Sequence, residues 1–119
     1  MGTTPHRPYD DVMKVAAQES SEATLGTITI TTGVDETAII HQICWSYNVA
    51  GTTGRVFTEN LVGDEFDVDV VAAGPDSMIF IGGLYGQKGT SSFATVKIAA
   101  VTGSVGKLTV LYTLVRDPS

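Results

Sequence analysis

A glycine-rich stretch near the carboxyl end, residues 103–109 (Gly-Ser-Val-Gly-Lys-Leu-Thr), has part of the pattern of a phosphate-binding loop. Such a loop needs a glycine five places before its Gly-Lys pair and a Ser or Thr after the lysine. Val101 and Leu108 occupy those two positions here. The stretch also lies between two predicted strands, with no helix N-terminus to receive a phosphate. We therefore predict a hairpin turn at this point.

Four carboxylates cluster in the middle of the chain, at Asp64, Glu65, Asp67 and Asp69. Asp67 and Asp69 would lie on one face of a strand, about 7 Å apart. Carboxylates so placed can bind Ca²⁺, which takes six to eight oxygen ligands, but the spacing matches no calcium-binding loop. We predict a solvated strand face, whose charges discourage pairing at a sheet edge, and no metal site.

Histidine and cysteine are too few for a familiar catalytic or metal centre. His41 and His6 are the two histidines, and Cys44 is the single cysteine. A nucleophilic cysteine needs a base and an orienting group, and none is recognisable around Cys44. We interpret Cys44 as a small buried hydrophobic residue and His41 as a buried or interface histidine. No catalytic or cofactor-binding residue is assigned, and we expect no enzymatic activity.

Aromatic side chains offer a second kind of site. Trp45 and Tyr47 fall on the same predicted strand face as His41, and Tyr85 and Tyr112 could join them as a platform on which a sugar stacks. Such residues more often belong to a core or a subunit interface. A carbohydrate- or receptor-binding module therefore stays open as an alternative function.

The elements that must position these residues are strands. The chain has 119 residues, the size of a single domain, and its apolar residues favour Val and Ile, which pack well on a pleated surface. Runs with period-two alternation predict seven or eight strands at spacings of about ten residues. Those runs are 25–31, 38–49, 55–61, 66–70, 77–81, 93–101 and 107–115. We predict that the run 77–81 is a short buried strand.

Glycine-containing segments separate the runs, and residues 74–76 (Gly-Pro-Asp) give a strong turn signal. No long helix is interposed, so the sheets should be antiparallel. We predict an all-β, antiparallel two-sheet sandwich, jelly-roll-like, over residues 24–119. Within the run 38–49, strict alternation places Ile39, His41, Ile43 and Trp45 on one face.

Residues 1–23 are polar, unlike the strand-rich remainder of the chain, and are predicted to form an N-terminal arm. Pro5 and Pro8 favour an extended start, since proline restricts its own backbone and that of its predecessor. A short helix over residues 12–17, capped by Asp10 or Asp11, is an additional expectation for this arm.

Charge excludes some partners. The formal net charge is −6 and the pI is about 4.6. The seven Lys and Arg residues are scattered and form no basic stripe, so we expect no nucleic-acid partner. The first residues are polar and lack the apolar segment of a signal peptide. No apolar run approaches membrane-spanning length, so we expect no membrane partner.

Residues 24–115 resemble the small β-sandwich proteins of tailed-phage particles. The likeness lies in the final strand that follows residues 103–106, and in the segment 38–49 with its Trp45-Ser-Tyr47. The resemblance implies a head-decoration (cement) protein, a virion structural protein that is made soluble in the host cytoplasm and binds the capsid exterior. Its implied partners are the major capsid protein and further copies of itself, with a homotrimer favoured.

Within the arm, Arg7 and Tyr9 are the residue types most enriched at protein interfaces. We therefore predict them as partner-contact residues, since an arm can become ordered as it binds a neighbour. A third function, a small cupin-like enzyme or lyase, would need a metal cluster that two histidines supply poorly.

Overall fold

A computed structural model describes residues 10–88 and 93–116 of the chain. These residues form strands, turns and loops, and no helix that could cross a membrane is found among them. The eight strands are β1 (Asp10–Glu19), β2 (Gly26–Thr31), β3 (Glu36–Tyr47), β4 (Arg55–Glu59), β5 (Asp67–Asp69), β6 (Gly74–Tyr85), β7 (Phe93–Ile98) and β8 (Gly106–Arg116).

The strands form two four-stranded antiparallel sheets. Sheet A has the order β1-β8-β3-β6, and sheet B has the order β2-β7-β4-β5. Successive strands alternate between the two sheets, except that β4 and β5 are consecutive in sheet B. This is a jelly-roll-like sandwich, and the predicted all-β fold class is confirmed.

The core lies between the sheets and is made almost wholly of aliphatic side chains. Sheet A contributes Ile40, Ile43, Leu108 and Val110, and sheet B contributes Val56, Val96 and Ile98, all at most 1% exposed. Each such side chain stabilises the fold by roughly 1.5–3 kcal/mol relative to its exposed state. Alternation along the strands therefore separates a buried face from an outer face in both sheets.

The short helix predicted over residues 12–17 is wrong. Those residues belong to β1, which runs along the edge of sheet A and pairs with β8 from Asp10 opposite Leu114 to Glu19 opposite Lys107. An isolated helix of this length is marginal in water, whereas β8 offers backbone partners in a regular register from Lys14 to Glu19. Residues 1–9 lie outside the described residues, and the predicted boundary of the arm at residue 23 stays a prediction.

Strand β3 does not alternate throughout its length, contrary to the prediction. Ile40 lies opposite Tyr112 and Gln42 opposite Leu111, so His41 is an additional residue in the ladder. This β-bulge reverses the alternation. Ile40 lies in the core before the bulge and Ile43 after it, while His41 is only partly buried and lies on the outer side.

Strand β6 differs most from expectation. Residues 74–76 begin the strand instead of forming a separate turn, and residues 77–81, predicted to be buried, are exposed except for half-buried Phe80. The strand lies at the edge of sheet A, where a proline is tolerated because no neighbour needs its N–H. The apolar run was read as core because composition does not distinguish an edge strand from a central one.

The hairpin predicted at residues 103–106 is also wrong. Val101 and Ser104 form an isolated bridge around Gly103, which has a φ of 78°. The strands on either side, β7 and β8, belong to different sheets and are not paired. The turn is therefore a crossover between the two sheets.

Candidate interaction surface

The outer face of sheet A carries two adjacent rows of side chains without a single charge. Residues directly opposite in neighbouring strands share a face, so the pairing that joins all four strands defines each row. The rows are Val15–Leu111–Gln42–Ile79 and Ala17–Thr109–Cys44–Ser77. We call these eight residues the neutral face.

The neutral face has exposed apolar side chains on both of its edge strands. Ile79 is 66% exposed and Val15 is 64% exposed, and they lie on the two edge strands β6 and β1. Beside Ile79, β6 takes five steps from Ile79 to Leu84 while β3 takes two, so three additional residues bulge from the edge. Ile81 in this bulge is fully exposed. Gly82 and Gly83 permit the bulge, since both have a φ above 80°.

The outer face of sheet B has the opposite character. Arg55 donates two hydrogen bonds to Asp67, at 2.9 and 2.7 Å, and its guanidinium carbon lies 4.0 Å from the centroid of the Phe57 ring. Lys97 pairs with Glu59 at 2.6 Å. Threonines occupy the outward positions of β2. Sheet B therefore presents a hydrated, charge-paired surface, whereas the neutral face of sheet A carries no charge.

The acidic cluster is divided among separate partners. The hydrogen bonds from Arg55 hold the pKa of Asp67 below its usual value, and desolvation opposes this shift. Glu65 instead accepts hydrogen bonds from the Thr58 hydroxyl at 2.8 Å and the Leu61 N–H at 3.1 Å. Within residues 10–88 and 93–116, no group of three or more His, Cys, Asp or Glu side chains is placed to hold a metal ion.

The aromatic platform proposed from sequence does not form around Trp45. Trp45 is 6% exposed and Tyr47 is 2% exposed, and both lie in the core. The Trp45 ring packs against Phe66, with centroids 6.1 Å apart. Tyr85 is nearly half exposed on β6, apart from these two. A sugar-stacking role for Trp45 is therefore wrong, because the faces of its ring are not open to a ligand.

His41 and Cys44 lie on the outer side of β3. The Nε2 atom of His41 is 2.8 Å from the Thr113 hydroxyl, so its ring crosses to β8. Cys44 is a half-buried free thiol within the neutral face and not a core residue, because the bulge at His41 changes which residues of β3 point inward.

A cavity of about 250 Å³ opens where the edges of the two sheets meet, between β5 and β6. The cavity is lined by Trp45, by the segment from Val68 to Gly74, and by Pro75 and Asp76. This volume is below the range of about 300–1,000 Å³ typical of small-molecule sites. It is the size of one or two amino-acid side chains.

The predicted contact residues Arg7 and Tyr9 lie outside the described residues, so the structure does not place them. Sequence reasoning also missed the neutral face. Its signal was present in the alternation of Gln42 and Cys44 on β3 and of Thr109 and Leu111 on β8, where outward positions carry no charge. Charged residues ordinarily occupy such positions on a solvated sheet.

Comparison with known proteins gives two distant structural neighbours. No family model matches the chain, and no curated protein sequence matches it. One neighbour is a chain of the cyanophage Pam1 capsid asymmetric unit, with 12% identity, a TM-score of 0.49 and coverage of 95% of this chain and 91% of the other.

The second neighbour comes from a virus-like particle of the extra small virus of the giant freshwater prawn Macrobrachium rosenbergii. It has 14% identity and a TM-score of 0.38, and covers 98% of this chain and 88% of the other. At these scores neither likeness carries weight for function. The class of this protein, a jelly-roll-like β-sandwich, follows from its own strand order.

Proposed function

We propose that this protein is a virion structural protein that decorates the outside of an assembled capsid and acts without catalysis. The observation that carries this proposal is the neutral face, which spans all four strands of sheet A and has apolar side chains at both edges. Jelly-roll domains recur in viral capsids as well as in lectins and cupins. A protein that works through contact area needs such a surface and no catalytic centre.

The occupant of the neutral face is a second copy of this chain. Each copy has a net charge of −6, so two copies repel wherever their acidic surfaces meet. A face without charges removes that repulsion, and its contact buries Val15 and Ile79. Stable subunit interfaces bury about 800 Å² on each partner, with an apolar centre.

In a cyclic homotrimer the neutral face of each copy contacts a different surface of the next copy, and the assembly presents several identical surfaces to a repetitive lattice. Weak binding of each subunit to the major capsid protein then adds up through avidity, without any single strong contact. The sequence resemblance to tailed-phage decoration proteins supports this partner, and the virion exterior is the corresponding location. The jelly roll itself provides a rigid body for bridging neighbouring capsid subunits.

The first test is the mass in solution of wild type and of Ile79→Lys, by light scattering after size exclusion. Wild type should have three times the mass of the 12.5 kDa chain. Ile79→Lys should be a folded monomer, since a charge buried in this contact must be desolvated. Thr29→Lys is the matched control, an exposed residue on edge strand β2 of the other sheet. A monomeric wild type, or an unchanged mass in Ile79→Lys, contradicts the proposed contact.

The second test is cosedimentation with heads of the encoding virus that were assembled without this protein. Wild type should sediment with the heads, and Ile79→Lys should bind at least tenfold more weakly because avidity is lost. Wild type that stays in the supernatant at micromolar concentration contradicts the decoration role, even if the trimer forms.

A further inference from the structure

The cavity between β5 and β6 is bordered by a buried side chain whose hydrogen-bond donor lacks an acceptor among the described residues. Trp45 is more than nine-tenths buried, and its indole N–H has no hydrogen-bond acceptor among the described residues. Trp45 lies opposite Leu108 on the inner side of sheet A, so its ring borders this cavity.

The other residues that line the cavity determine which ligand would fit beside the indole N–H. Asp76, directly opposite Trp45 on β6, is exposed, and its Oδ1 atom accepts the Ser77 N–H at 2.8 Å. Its second oxygen has no partner in the described structure. Val68, Val70 and Ala72 supply apolar wall. A fitting ligand has an acceptor for the indole, a cation for Asp76 and an apolar body between them.

We propose that this cavity binds the N-terminal segment of a second copy of the chain, with Arg7 paired to Asp76. Residues 1–9 contain one arginine and no acidic residue, whereas the rest of the chain contains all 13 acidic residues and the other six basic ones. Arg7 supplies the cation, Pro8 and Tyr9 supply apolar surface, and a peptide carbonyl supplies the acceptor.

Strand geometry excludes the same chain as the donor of Arg7. Asp10 lies opposite Leu114 and Trp45 lies opposite Leu108, six residues apart on β8, which is about 20 Å along the strand. The three strand spacings from β1 to β6 add about 14 Å across the sheet. Arg7 precedes Asp10 by three residues, which span at most about 11 Å, so its side chain does not reach Asp76 of the same chain. The segment must therefore come from a neighbouring molecule. This contact does not involve the neutral face, so an experiment can contradict one of the two proposed contacts without contradicting the other.

Disulfide trapping in the full chain tests the geometry. In a Cys44→Ser background, Pro8→Cys together with Ala72→Cys, which leaves Arg7 and Asp76 in place, should give interchain disulfides under mild oxidation. Cyclic exchange yields covalent trimers, and reciprocal exchange yields covalent dimers. Pro8→Cys with Asp64→Cys, at an exposed acid outside the cavity, is the matched control and should remain largely uncrosslinked. Crosslinking of both pairs to the same extent, or only monomers for both, overturns the proposal.

Fluorescence gives an independent readout, because Trp45 is the only tryptophan. A synthetic peptide of residues 1–9, titrated into the full-length Arg7→Glu variant, should shift the Trp45 emission to shorter wavelength and saturate. The Asp76→Lys variant, whose own Arg7 is repelled from the cavity, should respond at least tenfold more weakly to that peptide, but normally to a peptide carrying Arg7→Glu. No emission change in the Arg7→Glu variant, or a change produced equally by both peptides, overturns the proposal. A change in the Trp45 emission on addition of monosaccharides, but not of the peptide, also overturns the proposal.

Discussion

The hydroxyl of Tyr47 on β3 donates a 2.5 Å hydrogen bond to the carbonyl oxygen of Ala99, just after β7, and so links the two sheets. The phenolic oxygen of Tyr47 also accepts the Arg55 N–H at 3.3 Å. Burial raises the pKa of the Tyr47 hydroxyl, with the Arg55 hydrogen bond opposing the shift. One phenol thus satisfies two backbone groups where sheet A approaches sheet B.

Removing this hydroxyl should destabilise the fold without opening a large cavity. Tyr47→Phe leaves the Ala99 carbonyl and the Arg55 N–H without their partner, and we expect a loss of about 1–3 kcal/mol in the free energy of unfolding. Urea denaturation followed by circular dichroism measures it. Tyr85→Phe, on the exposed part of β6, is the control and should change stability by less than about 0.5 kcal/mol. Equal effects of the two substitutions would contradict the linking role of Tyr47.

Gly54 should tolerate no side chain. A Cβ atom built there would lie 2.0 Å from the Val70 carbonyl oxygen, and Val70 in turn donates its N–H to the Gly54 carbonyl at 2.9 Å. Gly54→Ala must therefore separate two backbone segments, at a cost of about 2 kcal/mol or more. Gly33→Ala is the control, since its closest neighbour is the movable carboxylate of Glu36. Thermal melts of the two variants check the difference, and a Gly54→Ala melting temperature equal to that of Gly33→Ala would refute it.

The Arg55–Asp67 pair should make the fold sensitive to acid. The pKa of Asp67 is lowered in the folded protein, chiefly by the hydrogen bonds from Arg55. Its contribution is therefore present above the ordinary value of 3.8 and is lost as pH falls through the lower folded value. The side chains are well exposed, so the effect is small.

Asp67→Asn should flatten the fall in stability between about pH 5 and pH 2. Urea midpoints across that interval provide the measurement, and Asp64→Asn serves as the control. A slope in Asp67→Asn as steep as in wild type shows that other carboxylates control the acid transition.

The crossover at residues 103–106 depends on Ser104. Its hydroxyl donates to the Asn48 side-chain oxygen at 2.9 Å and accepts the Val49 N–H at 3.1 Å, while Asn48 also accepts the Val105 N–H at 2.8 Å. Ser104→Ala should cost about 1–3 kcal/mol, because Val49 and Asn48 lose a buried partner. Thr102→Ala, exposed in the same turn, should be nearly neutral. A neutral Ser104→Ala in urea denaturation contradicts this account.

The sequence predicted the fold class because period-two alternation is a local property, visible in β2 around Ile28 and Ile30 and in β8 around Leu108 and Val110. It did not predict the bulge at His41, whose cause is the pairing of β3 with β8, residues distant in the chain. Nor did it distinguish Ile79 from a core residue, because exposure at a sheet edge depends on which strand lies outermost. Likewise, Trp45 and Asp76 share a cavity only through the β3–β6 pairing.

The strand order has a consequence for synthesis. Strand β8, the last of the eight to leave the ribosome, lies in the interior of sheet A between β1 and β3. Until it emerges, the first strand has no neighbour to pair with, and β3 lacks one of its two. Sheet A therefore closes only after β8 has been synthesised, and pairings between such distant strands form slowly. During this interval the nascent chain exposes apolar strands, and we expect chaperones that hold unfolded polypeptides to bind them.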